Sequence, residues 1–201
     1  MKVSKIKGTI DYFGREIKKY RYIEEVARNI SKQFGYLEIQ TPVFEATEVF
    51  ARGVGEGTDI VNKEMYTFED RGGRSLTLRP EGTAGVMRAL SGTEAMNGVE
   101  QRVFYMGPMF RGERPSAGRR RQFHQIGVEN VGRCAALIDA ECIAMICAFM
   151  REIGRSMEAA GTAVEYLWCS GDPDSLDGVV LPELKCGVAD GTFPHVIEPM
   201  Y

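Results

Sequence analysis

Val103-Phe104-Tyr105-Met106-Gly107-Pro108-Met109-Phe110-Arg111 and, after a polar loop, Arg121-Gln122-Phe123-His124-Gln125-Ile126-Gly127-Val128-Glu129 are the stretches whose reading decides the fold. As two strands of a hairpin, their side chains alternate between faces. Phe123, Gln125, Gly127, Glu129 and Val131 then share one face; Gln122, His124, Ile126 and Val128 share the other. The first face is odd for core packing, with an aromatic, an amide, a bare glycine and a carboxylate in a row. In the other strand, Val103, Tyr105, Gly107, Met109 and Arg111 form a face that also has a glycine gap. Where these faces coincide, they make a floor with two gaps, ringed by arginine, glutamine and glutamate. Phe123 to Glu129 spans roughly 20 Å at strand spacing, the scale of a nucleotide joined to an amino acid.

The loop between the strands carries Arg111, Arg114, Arg119, Arg120 and Arg121 against one acid, Glu113. The guanidinium fork donates paired hydrogen bonds and keeps its charge, so the cluster is a local anion trap. It stands out because the 201-residue chain is acidic overall, with 28 acidic and 25 basic side chains and a net charge of -3. Contact with a nucleic acid would therefore have to come from such a patch rather than a global field. A hydrophobic share of 44% suits one soluble domain or slightly more. No apolar run is long enough for a membrane helix, and Met1-Lys2-Val3-Ser4-Lys5-Ile6-Lys7 lacks the apolar core of an export signal. The five cysteines, Cys134, Cys142, Cys147, Cys169 and Cys186, form no CxxC pair, and there are two histidines. A zinc site is thus poorly supported, no metal-ligand set is assigned, and a reducing cytoplasm is expected.

Working outward, apolar residues recur every three or four positions from Ile17 through Tyr20, Ile23, Val26, Ala27 and Ile30 to Phe34. This predicts an amphipathic helix over about 14–34, stopped at Gly35. Residues 36–41 alternate as a strand up to Pro42. Residues 65–68 and 75–79 flank a polar turn as a hairpin, and Pro80-Glu81-Gly82-Thr83 opens a helix to about Leu90. A third helix is expected over 136–153, ended by Gly154. After about Tyr166, Asp172-Pro173-Asp174, Leu181-Pro182 and Phe193-Pro194 break any period, so residues 166–201 read as an atypical, poorly structured tail beside the unit formed by 1–165.

Phe110-Arg111-Gly112-Glu113-Arg114-Pro115, with Gly118-Arg119-Arg120-Arg121-Gln122-Phe123-His124-Gln125, resembles motif 2 of the histidyl-tRNA synthetases, class II aminoacyl-tRNA synthetases. Leu76-Thr77-Leu78-Arg79-Pro80-Glu81-Gly82-Thr83-Ala84-Gly85 is similar to the segment that family uses for histidine. Lys7-Gly8-Thr9-Ile10-Asp11 resembles its N-terminal signature, and the helix and strand ending at Pro42 resemble motif 1, its dimer element. The resemblance covers about residues 3–165. It implies an α+β fold: a class II antiparallel sheet flanked by helices, incomplete on its C-terminal side. It also implies a cytoplasmic histidine–tRNA ligase using ATP and Mg2+, acting on histidine and tRNA(His), and dimerising through motif 1. By the same resemblance Glu81 and Thr83 would hold the α-amino group of histidine. Arg111 would bind the α-phosphate as the catalytic cation, Glu113 the adenine amino group and Arg119 the terminal phosphates, while Phe123 would stack on adenine. Gln125 would contact the amino-acid backbone and Glu129 the imidazole. Arg114 and Ser116 are candidates for the tRNA acceptor stem.

Plainer readings stand beside these. Glu81 suits a helix N-terminus; Arg119, Arg120 and Arg121 suit a solvated charge run; Gln125 and Glu129 suit an exposed edge strand. His124, on the opposite face from Gln125, is expected to be structural. The Gly55/Gly57 loop is taken as a flexible connection, Cys142 and Cys147 as ordinary thiols, and His195 has no role. The family's later motifs and its anticodon-binding domain are not visible in the sequence. The expectation is a truncated chain, with a reading-frame shift near residue 166 and little or no aminoacylation activity alone. The alternatives are a non-catalytic histidine-binding paralogue, such as the regulatory subunit of ATP phosphoribosyltransferase, and a tRNA- or partner-binding fragment.

Overall fold

In a computed structural model, the described residues are 3–54, 64–112 and 120–190. In chain order they form α1 (Arg15–Gln33), β1 (Leu37–Glu38), β2 (Phe44–Ala46), α2 (Thr47–Val54), β3 (Tyr66–Glu69), β4 (Ser75–Leu78), α3 (Thr83–Leu90), β5 (Gln101–Phe110), β6 (Gln122–Val131), α4 (Ala136–Ala159), β7 (Glu165–Trp168), β8 (Leu176–Leu181) and β9 (Cys186–Ala189). They pack as two compact units. One is built from 3–13 and 36–133, the other from 14–35 and 134–190.

The first unit is organised by β5 and β6, ten residues each, paired antiparallel from Gln101↔Val131 to Phe110↔Gln122. β1 adds to the free side of β5 in parallel. It is shorter than the sequence pattern suggests. Beyond the Ile39 N–H, which donates to Phe104 O at 2.9 Å, the chain leaves the sheet. The carbonyl and hydroxyl of Thr41 instead accept from the Arg79 guanidinium. β3 and β4 form the expected hairpin, and β2 pairs with the other side of β4. The segment containing β2 and α2 carries too few residues per element for either period to emerge. The core lies where α3 meets the long hairpin: Val86 and Leu90 pack with Val103, Tyr105 and Met109, all buried.

In the second unit α1 packs on α4. α4 does not stop at Gly154 but runs on to Ala159, and the chain reverses at Gly161 with φ +77°. Gly154 serves close approach instead, because a Cβ there would collide with the Tyr166 ring. Residues 165–189 are not poorly structured. They form an antiparallel sheet in the order β7-β8-β9, with Leu176, Val179 and Leu181 buried. The residues that break helical periodicity, Asp172-Pro173-Asp174 and Pro182, are the corners of this sheet. Gly154→Ala should therefore destabilise the second unit by about 2 kcal/mol, as overpacking does. Urea unfolding with the Trp168 signal measures it, and an unchanged midpoint would mean that Tyr166 is not wedged on α4.

Candidate functional site

The pairing of β5 with β6 decides whether the two polar faces meet. Val103 is opposite Glu129, Tyr105 opposite Gly127, Gly107 opposite Gln125 and Met109 opposite Phe123. Directly opposed residues point to the same side of a sheet, so the faces coincide. The expected gaps, however, are closed. The Tyr105 ring, 5% exposed, lies across Gly127 and reaches Gly82; a Cβ at either glycine would overlap it. The Arg79 guanidinium fills the space over Gly107, with Nη2 2.5 Å from where a Cβ would stand. The glycines admit the protein's own side chains, so the floor is continuous.

Arg79 is 6% exposed, and burial lowers its pKa. Its Nε donates to Pro108 O at 2.9 Å and its Nη1 to Thr41 O at 3.0 Å and Thr41 Oγ1 at 3.3 Å. A buried cation satisfied by neutral oxygens is a brace, tying β4 to the bend before Pro42 and to β5.

At the Glu129 end, the start of α3 comes over the sheet. Glu81 accepts from the N–H groups of Thr83 and Ala84, the second at 3.0 Å. In the free chain it thus complements the helix N-terminus, the plainer of its two readings. Thr83 Oγ1 donates to Glu129 Oε1 at 2.7 Å. Burial raises the pKa of the Glu129 carboxyl; the Thr83 hydrogen bond opposes this and the neighbouring Glu81 adds to it. The Tyr105 hydroxyl is pushed up to about 12, again chiefly by burial. Glu81, Thr83, Tyr105 and Glu129 therefore form one polar cluster at the edge of the core.

At the other end, the Arg111 guanidinium lies over the Phe123 ring, 5.1 Å from its centre. Its Nε donates to Pro80 O at 3.0 Å. Arg111 is thereby anchored to the segment that opens α3 and presents a cation next to a flat apolar ring. Between the two ends, Gln125 Oε1 is buried with no hydrogen-bond partner among the described residues, as is Arg121 Nε. A buried acceptor without a donor is uncommon and needs a reason. His124, exposed and on the opposite face, meets the Tyr12 ring edge-on at 6.2 Å between centres. Arg120 donates to Tyr12 Oη at 2.7 Å, which engages one member of the expected anion trap. Glu113, Arg114, Ser116 and Arg119 lie outside the described residues, as do Gly55, Gly57 and His195.

The arrangement offers, along one sheet face, an aromatic platform beside a cation, an acceptor unmet among the described residues, and a half-buried carboxylate flanked by a hydroxyl. Sequence reasoning missed Tyr105 and Arg79 as members. The signal for Tyr105 was present, since an aromatic falls opposite a bare glycine once the hairpin is in register. Arg79 had no comparable mark.

Residues 8–159 match the family model described as histidyl-tRNA synthetase. The histidine–tRNA ligase of Thermosipho melanesiensis is 54% identical over 151 residues, covering 75% of this chain and 36% of that protein. The apo histidyl-tRNA synthetase of S. aureus superposes with a TM-score of 0.64 at 35% identity, covering 83% of this chain and 37% of that one. A Bacillus halodurans structure described as an ATP phosphoribosyltransferase regulatory subunit/histidyl-tRNA synthetase has the same fold, with a TM-score of 0.64 at 24% identity over 82% of this chain and 40% of that one. The chain thus spans little more than a third of the length of the curated relatives it matches.

Proposed function

Because the chain belongs to the histidyl-tRNA synthetase family, we propose that its first unit carries the histidine- and ATP-binding face of a histidine–tRNA ligase. The observation that supports this most is Gln125 Oε1, buried and without a partner among the described residues, on the face it shares with Phe123 and Glu129. The α-amino group of a bound amino acid supplies the donor this oxygen lacks. Glu81 and Thr83 are assigned to the same group, and Glu129 to an imidazole N–H. Phe123 offers its ring to adenine, and Arg111, next to that ring, the cation for the α-phosphate. Within the loop outside the described residues, Glu113 is assigned to the adenine amino group, Arg119 to the terminal phosphates, and Arg114 and Ser116 to the tRNA acceptor stem.

Activation is attack by the histidine carboxylate on the α-phosphorus of ATP. A phosphorus–oxygen bond forms and pyrophosphate leaves. Two anions must approach, so a fixed guanidinium placed where charge grows lowers the barrier without itself reacting. Among the described residues no three carboxylate, thiol or imidazole side chains group around a metal position; Mg2+ is expected to arrive on the nucleotide phosphates. The aminoacyl group then passes to the 3′ end of tRNA(His). A second copy of the chain, docked through the α1–β1 segment, is the expected partner. Among the described residues no helix is long and apolar enough to cross a membrane, and the cytoplasm is the expected compartment. For residues 166–201 we retain the reading that they depart from the family.

Histidine-dependent ATP–pyrophosphate exchange, with and without a full-length relative, tests the activity. We expect little or none from the chain alone, and binding of both histidine and ATP by equilibrium dialysis. Histidine binding without ATP binding would favour a non-catalytic histidine-binding relative.

Glu129→Gln separates function from stability. Loss of the carboxylate should weaken histidine binding roughly 10- to 100-fold, as a site deprived of its polar partner does. The same change should raise the melting temperature at neutral pH. A carboxyl whose folded pKa is raised favours folding below its unfolded pKa, and that contribution is lost as pH rises through the folded value. The advantage of the variant should shrink as pH falls below the usual carboxylate range. A variant less stable than the parent at pH 7 would contradict the electrostatic account.

A further inference from the structure

We propose that Tyr12 is a positioning residue: with the carbonyl of Gly8 it fixes the second root of the arginine-rich loop, so that the cations next to Phe123 are held ready for a nucleotide. The inference rests on the reading of that loop and of Arg111 as the ATP-binding part, and goes beyond it, because Tyr12 itself would touch no substrate.

No ligand is assigned to the N-terminal segment Lys7-Gly8-Thr9-Ile10-Asp11-Tyr12, yet it is tied to the start of β6 in three ways. Gly8 O accepts from the Arg121 N–H at 2.9 Å and from the Gln122 N–H at 3.4 Å. Tyr12 Oη accepts from Arg120 Nη1 at 2.7 Å. The Tyr12 ring meets that of His124 edge-on, with centres 6.2 Å apart. Gly8 has φ +88°, which a glycine adopts at little cost, and it sits in a turn closed by Thr9. The N–H and hydroxyl of Thr9 both donate to Ile6 O, at 3.2 and 2.8 Å. By strand alternation Arg120, Gln122 and His124 fall on the face opposite Phe123. Tyr12 thus braces the back of the strand whose front carries the aromatic platform.

The first root of the loop is pinned as well. Arg111 Nε donates to Pro80 O at 3.0 Å, and the Gly112 N–H to Glu64 O at 2.6 Å. The two roots are joined by the Arg111 N–H, which donates to Arg121 O at 3.0 Å. Arg121 is therefore held by Gly8 through its N–H and holds Arg111 through its carbonyl, and the Arg111 guanidinium lies over Phe123. The partner chosen for Arg120 matters too. A tyrosine oxygen orients a guanidinium without cancelling its charge, whereas a carboxylate would weaken the local field that attracts phosphate.

The consequence is selective. With both roots fixed, less conformational freedom is lost when a nucleotide orders the loop. Tyr12→Phe keeps the ring against His124 and removes only the acceptor for Arg120, so ordering the second root then falls on the nucleotide. Glu129 and Thr83, at the other end of the face, are not involved.

The experiment uses the full chain in equilibrium dialysis with radiolabelled ATP in the presence of Mg2+, and with radiolabelled L-histidine on the same preparations. Tyr12→Phe should weaken ATP binding about fivefold, the weight of one hydrogen bond. Histidine binding and the urea midpoint should stay as in the parent. In an Arg120→Met background, Tyr12→Phe should cause no further loss, since Tyr12 acts through that guanidinium. Unchanged ATP binding in Tyr12→Phe would overturn the proposal. So would equal losses for ATP and histidine or a lowered midpoint, which would mark general loosening, and so would full additivity with Arg120→Met. Absence of ATP binding by the unmodified chain is a different result, which removes the reading of the loop itself and the inference with it.

Discussion

Gly127→Ala is expected to destabilise the first unit by about 3 kcal/mol, the upper end of overpacking effects, and to abolish histidine binding. The added methyl would fall inside the Tyr105 ring. A tyrosine at a surface could swing aside at small cost, but this ring is 5% exposed and meets Gly82 on another side. Relief therefore requires β6 to separate from β5 or the start of α3 to lift, and either movement pulls Glu129 from Thr83. Urea titration gives the stability change and dialysis the binding loss. A variant that unfolds at the parent's midpoint would show that the ring has room to move, and the account of the closed gap would be wrong.

Arg79→Met should cost about 3 kcal/mol as well, by the opposite route. It fills space but removes the donors to Pro108 O, Thr41 O and Thr41 Oγ1. Each buried acceptor left without a partner costs about 1–3 kcal/mol. Part of that loss is offset because a cation no longer has to be held away from water. Arg79→Lys tests whether geometry or charge matters. One ammonium cannot reach acceptors spread around the edge of the guanidinium, so it should recover little of the loss. Near-complete recovery in guanidinium chloride unfolding would show that charge, not the fork, braces this corner.

The sequence carried the polar face of β6 clearly, because Phe123, Gln125, Gly127 and Glu129 violate what a core-facing strand would show. α1 was equally legible from its apolar stripe, and α3 from Pro80 and the polar residues that follow. What stayed hidden depended on contacts between distant residues. Whether Gly107 and Gly127 left room for a ligand could not be known until Arg79 and Tyr105 were placed, and both proved to fill it. Gly154 carried the same signal as a helix stop, yet its reason is the Tyr166 ring. The strands after residue 164 are short and separated by turns, so period-based reading found only breaks where the chain has corners. Glu81 shows a different limit. In the free chain both oxygens of its carboxylate accept from the backbone N–H groups that open α3, and that arrangement by itself does not choose between its two readings.

The ring lodged between Gly82 and Gly127 has a mechanical consequence. It couples two stretches of backbone 45 residues apart, so that the start of α3 cannot shift without dragging the end of β6. Thermal fluctuations that would blur either side alone are shared by both, and the pocket's two walls breathe as a single body.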